Sequence, residues 1–288
     1  MEETGKWPSA LSTSLVALLP KGSSGQLDDY RPIVLLSAIY RLWVGLRMRT
    51  FRGWLRQNRV LGLKTQGGAE SMAYDLALRM TAARATGAPV TGLGLDWSKC
   101  YDHVHVGILD AISTRAGIPA SISGPMLSAY RQPRRILLRN LGGEVRTPGN
   151  GIPAGCPGAT DWLALLMHLL TQPLAGIDSS AQVRAYVDDV TADVTGAEGG
   201  VSACRHMAEV VVEFGKSLCR VPNLDKSCLV STDPVLRNEL RGGVFPVVDS
   251  FKDLGVIQTP AGVPNRRLGK ARDQGGNDKL GRPFPMSA

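Results

Sequence analysis

From Ser37 to Gln57 the chain lacks proline, and its apolar residues recur at mixed spacings of three and four. That pattern predicts a helix with Ile39, Leu42, Trp43, Leu46 and Leu55 as its inward stripe. A second helix is expected from Glu70 to Ala85, stopped by Gly87 and Pro89. Val90 to Leu95 reads as a buried strand ending at Asp96, and His103 to Ala116 as a helix closed by Gly117 and Pro119. Arg134 to Arg146 reads as a hairpin around Leu141-Gly142-Gly143. A Gly- and Pro-rich loop, Gly149 to Gly158, leads into an apolar helix from Ala159 to Leu170. Gln182 to Thr191 has the form strand, tight turn, strand. Glu198 to Leu218 is expected to be a helix with apolar Val201, Met207, Val210, Val211 and Phe214, and short strands are expected near Ser227 to Ser231 and Phe251 to Thr259. From Pro260 onward the periodicity vanishes, and this tail reads as loose or as a truncated element.

Composition narrows the class. A hydrophobic fraction of 43% and a charged fraction of 20% over 288 residues fit a globular chain of one large domain or two modest ones, and exclude a disordered or fibrous one. The longest apolar run, Trp162 to Leu170, contains His168 and is about half the roughly 18 residues that a membrane span needs. Five cysteines, none in C-x-x-C spacing, argue against a disulfide framework and a cysteine zinc site; with Glu2 and Glu3 where a signal peptide carries positive charge, an intracellular setting is expected. His103 and His105 have neither metal-site nor catalytic spacing and read as structural or surface residues. The net charge of +8 favours an anionic partner. Between Tyr30 and Ala69 there is no acidic residue, while Arg31, Arg41, Arg47, Arg49, Arg52, Arg56, Arg59 and Lys64 all fall there. A basic helix face interleaved with Trp43, Phe51 and Trp54 suits a nucleic-acid backbone; a solvated helix surface reads equally well from this feature alone.

The candidate chemistry lies in carboxylates. Asp96 follows one strand, and Asp188 and Asp189 stand at the turn of Ala185-Tyr186-Val187-Asp188-Asp189-Val190-Thr191. Adjacent carboxylates repel, and a hard cation such as Mg²⁺ relieves that repulsion. If Asp96 meets Asp188 across neighbouring strands, the pair could hold two ions about 3.5–4 Å apart. Taken singly, Asp-Asp also fits turn chemistry and Asp96 a strand-end cap. G-x-x-x-x-G-K-[ST] and G-x-S-x-G are absent, and Gly92-Leu93-Gly94 lacks its third glycine because position 97 is Trp.

In order along the chain, the pieces resemble the reverse transcriptase family, in its non-LTR retrotransposon (LINE-type) branch. Val16-Ala17-Leu18-Leu19-Pro20-Lys21 and Asp29-Tyr30-Arg31-Pro32-Ile33 resemble that branch's fingers signature, and Gln66-Gly67-Gly68 its Q-x-G-F segment without the Phe. Leu95-Asp96-Trp97-Ser98-Lys99-Cys100-Tyr101-Asp102 resembles motif A, Gly151-Ile152-Pro153-Ala154-Gly155-Cys156-Pro157 motif B, and Tyr186-Val187-Asp188-Asp189 motif C. Asn223-Leu224-Asp225-Lys226-Ser227 resembles motif D and Phe251-Lys252-Asp253-Leu254-Gly255-Val256 motif E, so the likeness runs over roughly residues 7–258.

The resemblance implies an α+β right-hand polymerase core. Its fingers would span 1–89 and its palm 90–118, with 119–160 returning to the fingers with motif B, 161–259 completing the palm, and 260–288 a loose or truncated thumb start. A small antiparallel palm sheet would carry Asp96 and Asp188, backed by the helices near 103–116 and 198–218. The implied reaction is RNA-directed addition of deoxynucleoside triphosphates to a DNA primer on an RNA template, with two Mg²⁺ ions (Mn²⁺ as a substitute) on Asp96, Asp188 and Asp189. Lys21 and Arg31 would reach the triphosphate, Tyr101 would be a gate against a 2′-OH, and Lys226 would stand at the leaving pyrophosphate. Gly155 would allow close backbone approach, Leu254 and Gly255 would turn the hairpin that grips the primer, and Arg47, Arg49, Arg52, Arg56 and Arg59 would track the template. A full-length element would add endonuclease and thumb regions, and a eukaryotic one would act in the nucleus. The chain departs from the motif at Ala154, where the family has Gln, which puts ordinary nucleotide handling in doubt. Three readings stay open: an RNA-directed DNA polymerase, a truncated remnant that only binds nucleic acid, and an RNA-directed RNA polymerase, against which Tyr101 argues.

Overall fold

The computed structural model describes residues 2–20, 30–60, 68–138, 141–218 and 221–261. Strands β1 (Ser14–Pro20) and β2 (Tyr30–Leu35) precede helices α1 (Ala38–Gln57) and α2 (Ala69–Thr86). β3 (Val90–Leu95), α3 (Val106–Arg115), α4 (Ala120–Tyr130), β4 (Arg134–Leu138) and β5 (Leu141–Arg146) follow. Next come α5 (Ala159–Ala175), β6 (Gln182–Tyr186), β7 (Asp189–Thr195) and α6 (Gly200–Ser217), and then β8 (Cys228–Ser231), α7 (Pro234–Glu239), β9 (Phe251–Asp253) and β10 (Val256–Gln258). The mixed α+β expectation holds. No described helix is long and apolar enough to cross a membrane.

Two four-stranded sheets organise the chain. The first has the order β2-β1-β4-β5, with β1 and β4 parallel and its other pairs antiparallel. The second, β6-β7-β3-β8, is antiparallel throughout. All six residues of β3 are buried, because both faces of this second sheet are covered. One face, bearing Leu93, Leu95, Val190, Ala192 and Leu229, joins the main core with α5 and α6. The other is partly covered by Leu76 and Met80 of α2, which pack with Cys228, Val230 and Phe251. The helix near 103–116 was expected to back the sheet; α3 packs chiefly on α4, and α5 takes that place beside α6.

Three local expectations are corrected. On α1 the inward face is Tyr40, Val44, Met48, Phe51 and Leu55. Of the expected stripe only Leu55 is buried, and Ile39, Leu42 and Leu46 are 58%, 71% and 65% exposed. The helix is apolar on two faces, and tertiary packing selects the one whose Phe51 reaches the Trp162 ring at 5.1 Å. Second, Leu141-Gly142-Gly143 belongs to strand β5 rather than to the turn, and residues 139–140 that join the hairpin lie outside the described residues. Third, α5 continues to Ala175 through Pro173, beyond the expected end at Leu170. His105 caps α3 by accepting the Gly107 N–H on Nδ1, a structural role as expected. Cys100, Cys156, Cys204 and Cys228 are buried and not joined in disulfides, and Cys219 lies outside the described residues.

Candidate active site

The second sheet's register builds the site. β3 and β7 pair from Val90↔Thr195 to Leu95↔Val190, so one step further along the same ladder Asp96 comes beside Asp189. Tyr186 pairs with Asp189, which leaves Val187 and Asp188 as a two-residue turn. Val187 has φ +62° while Asp188 stays at negative φ, the pattern of a type II′ hairpin. A β-branched residue there costs on the order of 1–3 kcal/mol. Burial of the Val187 side chain in the core offsets that cost and fixes Asp188 at the tip. The end of β3 and the β6–β7 turn thus bring Asp96 into electrostatic contact with the sequence-distant Asp188-Asp189 pair.

Burial pushes the Asp189 carboxyl up to about 6, and the charges of Asp188, Asp96 and Asp253 add to the rise, with Lys226 opposing it. A carboxyl raised on folding binds its proton more tightly in the folded chain, so its contribution to stability is full below the unfolded value of 3.8 and lost as pH rises through about 6. Asp189→Asn should therefore raise the thermal midpoint of the metal-free protein at neutral pH, and the gain should shrink to nothing in acid. Melts with a chelator across that range check this.

Around the carboxylates the other motif residues fall into three groups. Lys226 Nζ lies 3.6 Å from Asp96 Oδ2, which also accepts from Asn223 Nδ2 at 3.0 Å. Tyr101 is half-buried, and burial followed by the Asp188 charge raises its hydroxyl, which places the ring beside the turn. The Tyr101 carbonyl accepts the Ile152 N–H at 2.9 Å, and the Ala154 carbonyl accepts the Val34 N–H at 2.7 Å, so the Gly-rich loop spans from the β3 side to β2. Gly155 adopts φ +111° with a virtual Cβ 2.7 Å from the Val34 carbonyl oxygen; no other residue fits that approach. Cys156 Sγ anchors the same loop between the Tyr40 and Tyr130 hydroxyls, each at 3.2 Å. Leu254 and Gly255, both at positive φ, form the β9–β10 turn. This hairpin, the end of β3 and Lys226 line a cavity of about 680 Å³ that includes Asp96 and Asp189. Arg31 is exposed on β2, away from that cavity's lining, and Lys21 lies outside the described residues.

The arginines of α1 divide. Arg47 is bound to Glu2, with Nε to Oε1 at 2.7 Å and Nη2 to Oε2 at 2.6 Å. Arg52 clamps Asp161 at the start of α5, with Nη2 to Oδ2 at 2.9 Å, and also donates to the Pro157 carbonyl. Arg49, Arg56 and Arg59 are exposed. The interleaved aromatics do not face solvent as a stacking platform: Phe51 is buried, and Trp43 donates to Glu2 and packs on Trp7. Arg52→Ala should destabilise the fold by about 1–3 kcal/mol, because Asp161 is left almost buried without its partner. Replacing Arg49, Arg56 and Arg59 together with Gln should leave the melting temperature unchanged and reduce the salt slope of nucleic-acid binding. An unchanged slope would place the polyanion elsewhere.

Sequence reasoning missed two features. Arg184, nearly buried on β6, pairs with Asp193 and Asp75, and Arg79 Nη2 reaches Asp193 Oδ2 at 2.7 Å, so a charged cluster ties α2 to the sheet below the carboxylates. Nothing in the sequence signals a charge buried inside a strand. The other is Asn223, visible only as part of a motif.

The family model for reverse transcriptase (RNA-dependent DNA polymerase) matches residues 19–257, most of the chain. The chain belongs to the reverse transcriptase family. No curated protein matched it. Among solved structures, apo telomerase from Candida tropicalis truncated from its C-terminal domain superposes with a TM-score of 0.56 at 11% identity, covering 88% of this chain and 56% of that one. Telomerase from Candida albicans, in complex with a TWJ fragment of telomeric RNA, gives 0.53 at 13% identity, covering 88% and 46%. The chain spans about half the length of these solved chains, and the likeness shows a shared fingers-and-palm fold.

Reverse transcriptases generally use divalent metal ions. Among the described residues no three carboxylate, imidazole or thiolate side chains form a ready-made cage. A hard cation of the Mg²⁺ kind needs no such cage, since it is held by one or two carboxylates and completes its shell with water and phosphate oxygens. Asp189 is raised first by burial and then by the charges of Asp188, Asp96 and Asp253, so the cleft gathers negative charge that a cation would neutralise. The residues fit.

Proposed function

We propose that this chain is the fingers-and-palm portion of an RNA-directed DNA polymerase from a non-LTR retroelement, with Mg²⁺ at Asp96, Asp188 and Asp189. The observation that carries this reading is the β3–β7 register, which brings Asp96 to the Asp188-Asp189 turn within a chain of this family. The first sheet with α1 and α2 (1–89) is read as fingers, completed by 119–160, and the second sheet within 90–118 and 161–259 as palm. The motif order supports the LINE-type assignment, as does Asp29-Tyr30-Arg31-Pro32-Ile33.

Bound there, two divalent ions would polarise the primer 3′-OH and neutralise charge on the departing pyrophosphate. The chain's own groups do the placing. The cavity beside Asp96 and Asp189, with the Leu254-Gly255 turn at its rim, suits the primer end. Tyr101, between the Gly-rich loop and Asp188, suits the floor under the sugar of an incoming nucleotide. Lys21 and Arg31 are assigned to its triphosphate, and Arg49, Arg56 and Arg59 to template phosphates. RNA as template, DNA as primer and deoxynucleoside triphosphates as substrates follow from this reading, and action in the nucleus if the host is eukaryotic.

Ala154 favours a second reading, a fragment that binds nucleic acid without extending it, because its side chain cannot hydrogen-bond a nucleotide or template base. Primer extension by the purified chain on an RNA template with Mg²⁺ separates the two: template-directed addition supports the polymerase, and binding without addition supports the fragment. Tyr101→Ala should raise ribonucleotide incorporation roughly tenfold relative to deoxynucleotides, the size of effect a steric pocket gives. Unchanged discrimination would remove the gate and reopen the RNA polymerase reading.

A further inference from the structure

We infer that Asn223 is a positioning residue that sets the orientation of the Asp96 carboxylate toward a divalent cation, an inference that rests on the reading of Asp96 as a metal ligand. Residues 221–227, just before β8, fold back along the end of β3. Trp97 bridges to Pro222, and the Asn223 N–H donates to the Asp96 carbonyl at 2.8 Å. The Ser227 hydroxyl accepts the Asp96 N–H and contacts its carbonyl, both at 3.2 Å. The peptide groups on both sides of Asp96 are thereby fixed.

Asn223 then reaches the side chain as well. Its Oδ1 accepts the Asp225 N–H at 3.2 Å, while its own carbonyl accepts from Lys226 N and Ser227 N at 3.1 and 2.7 Å. An amide whose oxygen is engaged by a backbone donor must turn its NH₂ the other way. Here it turns to Asp96 Oδ2, at 3.0 Å. Lys226 shares that oxygen, but from an exposed, flexible stem and at 3.6 Å. The two donors differ in what they do when a cation arrives. An ammonium ion is repelled by it and leaves; a neutral amide neither repels the cation nor leaves, and continues to hold Oδ2. Oδ1 is then presented to the cation in a fixed rotamer. Groups that orient a ligating carboxylate in this way typically contribute about 10–100-fold to metal affinity.

The test uses Mn²⁺ alone as probe, titrated into the full chain and followed by the loss of the free-ion electron paramagnetic resonance signal. Three variants are compared with the unchanged protein: Asn223→Ala, Asn223→Ser and Asp96→Asn. Serine can still accept the Asp225 N–H and keep the turn, but it is too short to reach Asp96. The expected result is Mn²⁺ affinity about tenfold weaker in both Asn223 variants, with the Asn223→Ser melting temperature unchanged. Wild-type affinity in Asn223→Ser overturns the inference and reduces Asn223 to a turn former; this variant decides the matter even if Asn223→Ala fails to fold. Asp96→Asn keeps the premise separate. If it binds Mn²⁺ as the unchanged protein does, the metal reading of Asp96 has failed; if it loses binding while both Asn223 variants retain it, only the positioning role has failed.

Discussion

Asp188→Asn should abolish metal-dependent primer extension, lowering its rate on the order of 10³-fold or more, while nucleic-acid affinity changes little. The reasoning is electrostatic. Asn keeps the size of the side chain and the type II′ turn in which Val187 carries the strain, so the hairpin should survive. It removes one full charge from a cluster whose mutual repulsion is felt at Asp189. A cation held by two or three carboxylates and the substrate's phosphates cannot spare one of them, and loss of about 4 kcal/mol of transition-state stabilisation corresponds to that rate. In the proposed function binding rests on cationic residues elsewhere and should be spared. Rapid-quench extension together with filter binding measures both quantities. Extension at near-normal rate in this variant would remove Asp188 from the chemistry.

The second large effect is expected at Lys226. Its ammonium stands beside Asp96 Oδ2 and lowers the Asp189 carboxyl against its other neighbours. Lys226→Ala should slow single-turnover nucleotide addition by about 10²-fold, the usual contribution of a positioned proton donor. Lys226→Arg should restore only part of the loss, because a guanidinium supplies charge but gives up its proton far less readily. Full recovery with Arg would assign the residue to charge neutralisation alone. An independent sign of the same contact is that Lys226→Ala should move the titration of Asp189 upward in the metal-free protein.

Parts of this architecture are legible in the sequence for identifiable reasons. Val90 to Leu95 is a run of apolar and small residues closed by an acid, and a strand covered on both faces has that form. Gly87 ends α2 in the left-handed conformation, as the Gly-x-Pro punctuation suggested. A tight turn between two strands is legible there, but the sequence places it at Asp188 and Asp189, and it falls one residue earlier, at Val187 and Asp188, with Asp189 opening β7. Other parts depend on contacts that no local pattern encodes. α1 is apolar on two faces, and only the position of Trp162, Met126 and Trp7 in space decides which is buried. The sequence reading names no element between Pro119 and Arg134, where Gly124 and Pro125 interrupt any helical pattern, yet α4 runs through Pro125, whose carbonyl accepts from Trp7 Nε1. The sequence proposes Arg47, Arg49, Arg52 and Arg56 on α1, and Arg59 just past its end, for one polyanion, but Arg47 and Arg52 are committed to Glu2 and Asp161, residues distant in sequence. At the site, the carboxylates could be named from the motifs. The carboxamide that holds one of them could not, because its role depends on how the segment before β8 returns to β3.

In the proposed function the end of β3 and the β6–β7 turn share one divalent-ion site. Replacing Mg²⁺ with Fe²⁺ and adding ascorbate and peroxide generates hydroxyl radicals at the bound ion, which cut the polypeptide nearby. Cuts are expected at both Leu95–Trp97 and Val187–Val190, suppressed by excess Mg²⁺ and lost in Asp96→Asn. Cuts at only one of these segments, or a pattern indifferent to Mg²⁺, would contradict a shared site.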